Sequence, residues 1–206
     1  MKSSFPGVRI HPTAVIEEGV KIGPGSSVWD NVHIRKNTVI GRDCIIGEKT
    51  YIAYDVRIGN FVKLNAFVYI PTGVTVEDKV MIAAGCIFVN DKYPRAFDFR
   101  AHAVAGSDPN EETLETTVRE GATVGAGAVV LGGLEIGRFS MVGAGSVVTK
   151  SVTAHALVAG NPARSIGWVC VCGFRLDFSR RRDAECPKCR SRYRLGPKKK
   201  GIVLIS

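Results

Sequence analysis

No stretch of this chain is apolar for long enough to cross a membrane, and the amino end, MKSSFPGVRIHP, holds no apolar run of signal-peptide length. The expectation is a cytoplasmic protein with no membrane partner. Cysteine is sparse, six in 206 residues. In a reducing compartment those six read as buried thiols, metal ligands or a nucleophile before they read as disulfides. Histidine is sparser, with His11, His33, His102 and His155 scattered and unpaired. Most of the chain also lacks any surplus of charge. The formal +9 divides into +8 for residues 175–206 and +1 for residues 1–174. The body is therefore near neutral, and a nucleic-acid partner is not expected of it.

What the sequence has instead is a period. From Ile10, every sixth residue through Ile16, Ile22, Val28, Ile34 and Ile40 to Ile82 and Phe88 is aliphatic or aromatic, and the beat resumes from Val118 to Val148. Four residues after each hit stands a small or β-branched residue, such as Ser26, Val32, Thr38, Cys44, Thr50 or Cys86. Six does not fit an α-helix at 3.6 residues per turn. It fits a short strand with two inward side chains followed by a corner, since successive side chains in a strand alternate faces. Gly23, Gly41, Gly47, Gly59, Gly125, Gly137 and Gly143 follow the aliphatic position, where a corner needs positive φ or close backbone approach. Three strands and three corners close a triangular coil of eighteen residues, and about twenty such hexads stack into six to seven coils. The fold class is all-β, a parallel β-helix prism. Cys44 and Cys86, at the small inward position, are expected to be buried fillers.

Hexads such as IGPGSS, IGRDCI, VGAGAV, IGRFSM and VGAGSV resemble those of the hexapeptide-repeat acyltransferases. The resemblance covers roughly residues 8–167. It implies a left-handed β-helix assembled as a homotrimer, and the handedness comes from the resemblance, not from the spacing. The carbonic anhydrase branch of that fold needs three converging histidines, which this sequence does not offer. Three local motifs, VWDNVHIRKNTVIG (28–41), FVNDKYPRA (88–96) and VAGNPARSIGWV (158–169), are similar to those of N-acetyltransferases acting on the 3-amino group of a nucleotide-linked sugar. Examples of that group are the UDP-2-acetamido-3-amino-2,3-dideoxyglucuronate and dTDP-3-amino-3,6-dideoxyhexose enzymes. Where those commonly read Trp-His-Phe-Val-His, this chain reads Trp29-Asp30-Asn31-Val32-His33.

The period breaks at Asn90 and returns near residue 118, leaving an excursion loop at about 90–117. Unstructured loops of that length are usually functional or disordered. Its distal half, GSDPNEETLETT, reads as a mobile lid; its proximal half, NDKYPRAFDF, suits ligand contact. The resemblance implies that Asn90 hydrogen-bonds the attacking amine and aims its lone pair. His33, facing outward after inward Val32, is the second catalytic candidate, as base or orienter. Lys92, Tyr93 and Arg95, with Arg35, are the candidate substrate contacts. The acyl donor implied is acetyl-coenzyme A, with Gly143 and Ala144 offering backbone amides and Lys150 and Arg164 cations for its phosphates.

The tail, residues 168–206, is read as a second module. Cys170-x-Cys172 and Cys186-x-x-Cys189 resemble a zinc ribbon holding one structural Zn²⁺, the first pair being one residue shorter than usual. A reduced metal-free hairpin and a disulfide are the alternatives. The runs Arg180-Arg181-Arg182 and Lys198-Lys199-Lys200 make this tail basic, but aromatic interleaving is thin, which disfavours nucleic acid. A non-catalytic β-helix scaffold presenting this basic ribbon is the reading opposed to the enzyme.

Overall fold

A computed structural model of the chain describes residues 5–106, 109–179, 181–197 and 201–205. Arg180 and Lys198–Lys200 of the basic runs, and Ser107 and Asp108 of the excursion, lie outside the described residues. Almost every strand is two residues long and pairs in parallel with the strand eighteen residues on, as in Arg9↔Ser27, Val15↔His33 and Lys21↔Val39. The strands form three faces, with ten, seven and six members. No helix among the described residues is long and apolar enough to cross a membrane.

The core is the axis of this β-helix. Ile34, Ile46, Ile52, Leu64, Ile70, Ile82, Val124 and Val130 are completely buried, and so are the small residues Val32, Cys44, Cys86, Ala122 and Ala128. Each large aliphatic side chain taken from water contributes about 1.5–3 kcal/mol, which is why the beat at six tolerates no polar residue. Several inward hydroxyls find partners across the coil, whereas those of Thr116 and Ser140 are buried without one among the described residues. Thr38 Oγ1 donates to the Ala53 carbonyl (2.8 Å), and Thr50 Oγ1 to that of Asn65 (3.1 Å). Burial pushes the Cys44 and Cys86 thiols above their ordinary value, so neither is a nucleophile.

One expectation is narrowed and another needs adjustment. The glycines that follow the aliphatic position do not supply positive φ. They are there for close approach, since a Cβ on Gly23 would lie 2.6 Å from the Arg42 nitrogen and one on Gly41 2.5 Å from the Gly59 oxygen. Positive φ sits two residues later, at Gly25, Gly85, Asn31, Asn37 and Asp43 among others. The prism is also longer than six to seven coils, at about 8 turns. Its final turn, closed by Ala156–Ala159, has lost the period of six and so escapes the count.

The excursion is a detour within one coil. Val74 pairs directly with Thr116, so the third face continues as if the intervening chain were absent. Within the detour, Phe97–Asp98 and Ala103–Val104 form an antiparallel hairpin. An isolated bridge, Asp91↔Thr113, ties its two ends together, and the Leu114 amide donates to the Asn90 carbonyl (2.7 Å). The distal half expected as a mobile lid is thus tied to the start of the excursion at Thr113 and Leu114, and turn bonds link Asn110, Glu112 and Thr113 to one another.

At the other end, the strand Arg164–Val169 pairs antiparallel with Ala156–Ala159, and Arg175–Leu176 pairs with it in turn. The first face of the prism therefore runs on into the tail. The boundary expected at 167/168 falls inside the strand Arg164–Val169, which pairs with the last strand of the prism on one side and with Arg175–Leu176, across the turn that carries Cys170 and Cys172, on the other.

Candidate functional site

One wall of the prism carries His33, with Arg35 two residues on and Asn90 higher up. Its outward positions, read along the axis, are Val15, His33, Tyr51, Tyr69 and Ile87, each one rung from the next. Tyr51 and Tyr69 stack at 5.5 Å with an interplanar angle of 11°, and His33 meets Tyr51 edge-on at 5.5 Å. Glu17, on the corner beneath, accepts a hydrogen bond from His33 Nε2 (2.9 Å) and one from the Lys36 amide (3.1 Å). Arg35 Nε lies 2.5 Å from the same Glu17 oxygen without pointing its hydrogen at it. Its terminal nitrogens donate to the Tyr51 hydroxyl (2.7 Å) and the Tyr54 hydroxyl (2.5 Å). Burial disfavours the ionised Glu17, but the His33 and Lys36 hydrogen bonds and the Arg35 charge outweigh it and hold the carboxyl below its ordinary value. Glu17, Tyr51 and Tyr54 were not singled out by sequence; the signal that finds them is the eighteen-residue coil, which sets Glu17 beneath Arg35 and Tyr51 above His33.

Asn90 stands higher on the same edge. Its Nδ2 donates to the Thr72 carbonyl (3.0 Å), and Thr72 Oγ1 donates to the Tyr54 carbonyl (3.1 Å). A carbonyl only accepts, so the side-chain NH₂ must face Thr72, leaving Oδ1 as a free acceptor with no partner among the described residues. Asn90 is half-buried and is not among the positive-φ residues, so corner geometry alone does not call for asparagine.

His33 and Asn90 are not neighbours. From His33 the wall climbs through Tyr51 and Tyr69 to Ile87, the strand that leads into Asn90. Three rungs at about 4.8 Å put them about 14 Å apart along the axis. One amine cannot touch both, and His33 is therefore not the base for an amine held by Asn90. Lys92, Tyr93 and Arg95 follow Asn90 and are exposed. Lys92 lies 5.0 Å over the Tyr93 ring, and Arg95 donates to the neighbouring Pro94 carbonyl. Neither cation is paired with a carboxylate among the described residues, so both are available to an anion. Arg35 is not, being shared among Glu17, Tyr51 and Tyr54.

Two of the donor-side candidates, Lys150 and Arg164, meet at the far end of the prism. A cavity of about 280 Å³ there is lined by Val148, Val152, Ala156, Val158, Lys150 and Arg164 among others, with Trp168 along one side. Lys150 and Arg164 thus share one cavity. Gly143 is held by its amide on the Val158 carbonyl (2.7 Å), so that amide is occupied; Ala144 is exposed.

In the tail, Cys170, Cys172, Cys186 and Cys189 place their sulfurs within 4.8 Å of one another. Cys170 and Cys189 are 3.2 Å apart and Cys172 and Cys186 3.5 Å, and all four are free thiols. A tetrahedron built on Zn–S bonds of about 2.3 Å has S···S edges of about 3.8 Å, so the donor set fits Zn²⁺. Burial pushes the Cys170 thiol up to about 12, whereas hydrogen bonds from Ser191 bring Cys189 down to about 6. The Tyr193 hydroxyl, fully buried, contacts Cys170 Sγ (3.2 Å) and accepts from the Val171 amide (3.0 Å).

Residues 19–54 and 115–150 match the family described as Bacterial transferase hexapeptide (six repeats). Those two stretches, together about a third of the chain, are similar to that family's repeat. Over 79 residues, 38% of this chain, the sequence is 47% identical to a dTDP-3-amino-3,6-dideoxy-alpha-D-galactopyranose 3-N-acetyltransferase of Aneurinibacillus thermoaerophilus, of which that stretch is 40%. Over 50 residues, 24% of this chain, it is 52% identical to the serine acetyltransferase of Escherichia coli, covering 18% of that protein. The matched stretches thus span well under half of these curated relatives. A solved structure of a variant of AntD, an N-acyltransferase from Bacillus cereus in complex with dTDP and coenzyme A, aligns with a TM-score of 0.50 and 22% identity, covering 79% of this chain and 82% of that one. That likeness is one of fold.

Proposed function

We propose that this hexapeptide-repeat chain is an N-acetyltransferase that moves acetyl from acetyl-coenzyme A to the 3-amino group of a nucleotide-linked amino sugar. The observation that carries the reading is the Asn90 amide, fixed on Thr72 with its acceptor oxygen free at the foot of the excursion. Oδ1 takes an N–H of the attacking amine and turns the nitrogen lone pair toward the thioester carbonyl. The N–C bond forms and the C–S bond breaks. An amide is no base, so the amine proton leaves through water or the departing sulfur, which is sufficient because a sugar amine is partly neutral near pH 7. Lys92 and Arg95 lie within reach of the diphosphate or a sugar carboxylate; Lys150 and Arg164 flank the donor's end.

The acceptor we put first is of the UDP-2-acetamido-3-amino-2,3-dideoxyglucuronate type. A dTDP-3-amino-3,6-dideoxyhexose is the second reading, favoured by the 47% identity to the Aneurinibacillus protein. A homotrimer belongs to the proposal: the outward ladder Val15, Tyr69, Ile87 exposes 53%, 43% and 46% of its members, an apolar strip that a second prism would cover. Structural Zn²⁺ in the tail belongs to it as well. The test is release of coenzyme A thiol from acetyl-coenzyme A across UDP- and dTDP-linked 3-amino sugars, with 4-amino sugars as controls. Release confined to a 3-amino sugar supports the reading. Absence of release with every sugar, from a folded protein, contradicts it and favours the scaffold.

A further inference from the structure

The cavity at the end of the prism and the four-cysteine cluster are built on one strand. Arg164–Val169 lines the cavity with Arg164, Ser165 and Trp168, and the residue after it is Cys170. Trp168 packs against both hydrophobic cores, that of the prism and that of the tail. A second link runs beside it. The Tyr193 ring, whose hydroxyl touches Cys170, meets the His155 ring at 5.4 Å. His155 stacks on Phe139 of the prism at 5.4 Å, and its Nδ1–H donates to the Val169 carbonyl (3.0 Å).

The tail core is small. Cys170, Leu176, Cys186, Tyr193, Leu195 and Ile202 are its buried members. So few apolar side chains cannot hold a ribbon of this length without help, and a metal bound to the four thiolates would supply the missing folding free energy. When the cluster is intact, Tyr193 and Trp168 are fixed, and with them the wall that carries Arg164. The cavity offers an apolar floor (Val148, Val152, Ala156, Val158), an indole and two cations. That chemistry suits a purine nucleoside bearing phosphates, which is the nucleotide end of coenzyme A.

We infer that the tail is a positioning device for the acyl donor: the metal-held cysteine cluster, acting through Trp168 and the Tyr193–His155 contact, sets the affinity of the end cavity for the nucleotide end of coenzyme A. Trp168 is the positioning residue. The inference rests on the proposed acyltransfer only in naming the ligand.

Acetyl-coenzyme A binding is measured by calorimetry on the full chain, as purified, after metal removal, and after zinc is returned. In a Trp29→Phe background, Trp168 is the remaining tryptophan, so its fluorescence reports the wall directly. Metal removal is expected to shift the Trp168 emission to the red, weaken donor binding about tenfold and leave the acceptor KM unchanged, with zinc restoring all three. Trp168→Ala should weaken donor binding similarly with metal present, and Tyr193→Phe, which keeps the ring, should do so partly. Donor binding that survives metal removal with the prism intact overturns the inference, as does protein purified without metal. A metal-replete protein that binds no acetyl-coenzyme A at all instead overturns the reading of the cavity as a donor site.

Discussion

His33 and Asn90 stand on one wall of the prism, three rungs and about 14 Å apart. Stacking copies about an axis parallel to the prism would leave that height difference unchanged. His33 donates to Glu17 and packs on Tyr51, so its place is in a wall cluster with Arg35 and Tyr54. His33→Gln is therefore expected to change kcat less than about threefold, against about a hundredfold for the loss of a group that positions the reacting nitrogen. Steady-state kinetics on both single variants and the double variant checks this. Additive losses with a small His33 share are expected; a His33 loss as large as that of Asn90 would return it to the chemistry.

The corners make a paired prediction. Gly41 has no room for a Cβ, which would lie 2.5 Å from the Gly59 oxygen, whereas Gly127 has positive φ with nothing within 4 Å. Gly41→Ala is expected to cost about 3 kcal/mol through backbone displacement. Gly127→Asn should cost less than about 1 kcal/mol, since asparagine tolerates this region and Asn31 and Asn37 already occupy it. Denaturant unfolding of both variants decides the matter. A tolerated Gly41→Ala would refute close approach as the reason for that glycine.

Acid should loosen the molecule in two stages. Burial holds His155 below its ordinary value of 6.5, so the unfolded chain takes up the proton first, and that share of stability, present above pH 6.5, is lost as pH falls. The joint between prism and tail should therefore weaken first. Glu77 and Asp78 lie below their ordinary 4.5 and 3.8. Burial works against ionised Glu77 but is outweighed by Arg119 and the Glu120 amide, while the Asn60 amide and side chain hold Asp78 down. Their contribution persists until pH falls below those values. Hydrogen exchange across pH should show the tail losing protection before the prism strands do; the reverse order would contradict the assignment of His155 to the joint.

Cys186→Ser removes a buried thiol of the four-sulfur cluster. It should render residues beyond 170 sensitive to protease and leave the β-sheet circular dichroism of the prism in place. A chelator applied to the unsubstituted protein should do the same. A tail that resists protease equally with and without chelator would exclude a structural metal.

The prism was legible because its cause is local. One aliphatic residue in six, seen at Ile34, Ile40, Ile46 and Ile52, reports burial on the axis whatever the rest of the chain does. The break after Phe88 was legible for the same reason, because the aliphatic beat fails there. The wall cluster was not, since Glu17, Arg35 and Tyr51 meet only after coils stack, and the separation that matters is eighteen residues, not six. The same stacking shows what sequence order hides: Asn90 and His33 share an edge yet not a level. The joint was also hidden, because Trp168 and His155 look ordinary until the strand after Pro162 is seen to serve prism and tail together.

The central claim is that Asn90 presents its free amide oxygen to the acceptor amine. The most direct measurement is turnover of Asn90→Ala with the 3-amino sugar that supports thiol release, alongside its oligomeric state and acetyl-coenzyme A affinity. We expect kcat to fall about a hundredfold or more while assembly and donor binding are retained. Turnover within a few-fold of the unsubstituted protein would remove Asn90 from the reaction and, with it, the reason given for the break in the period.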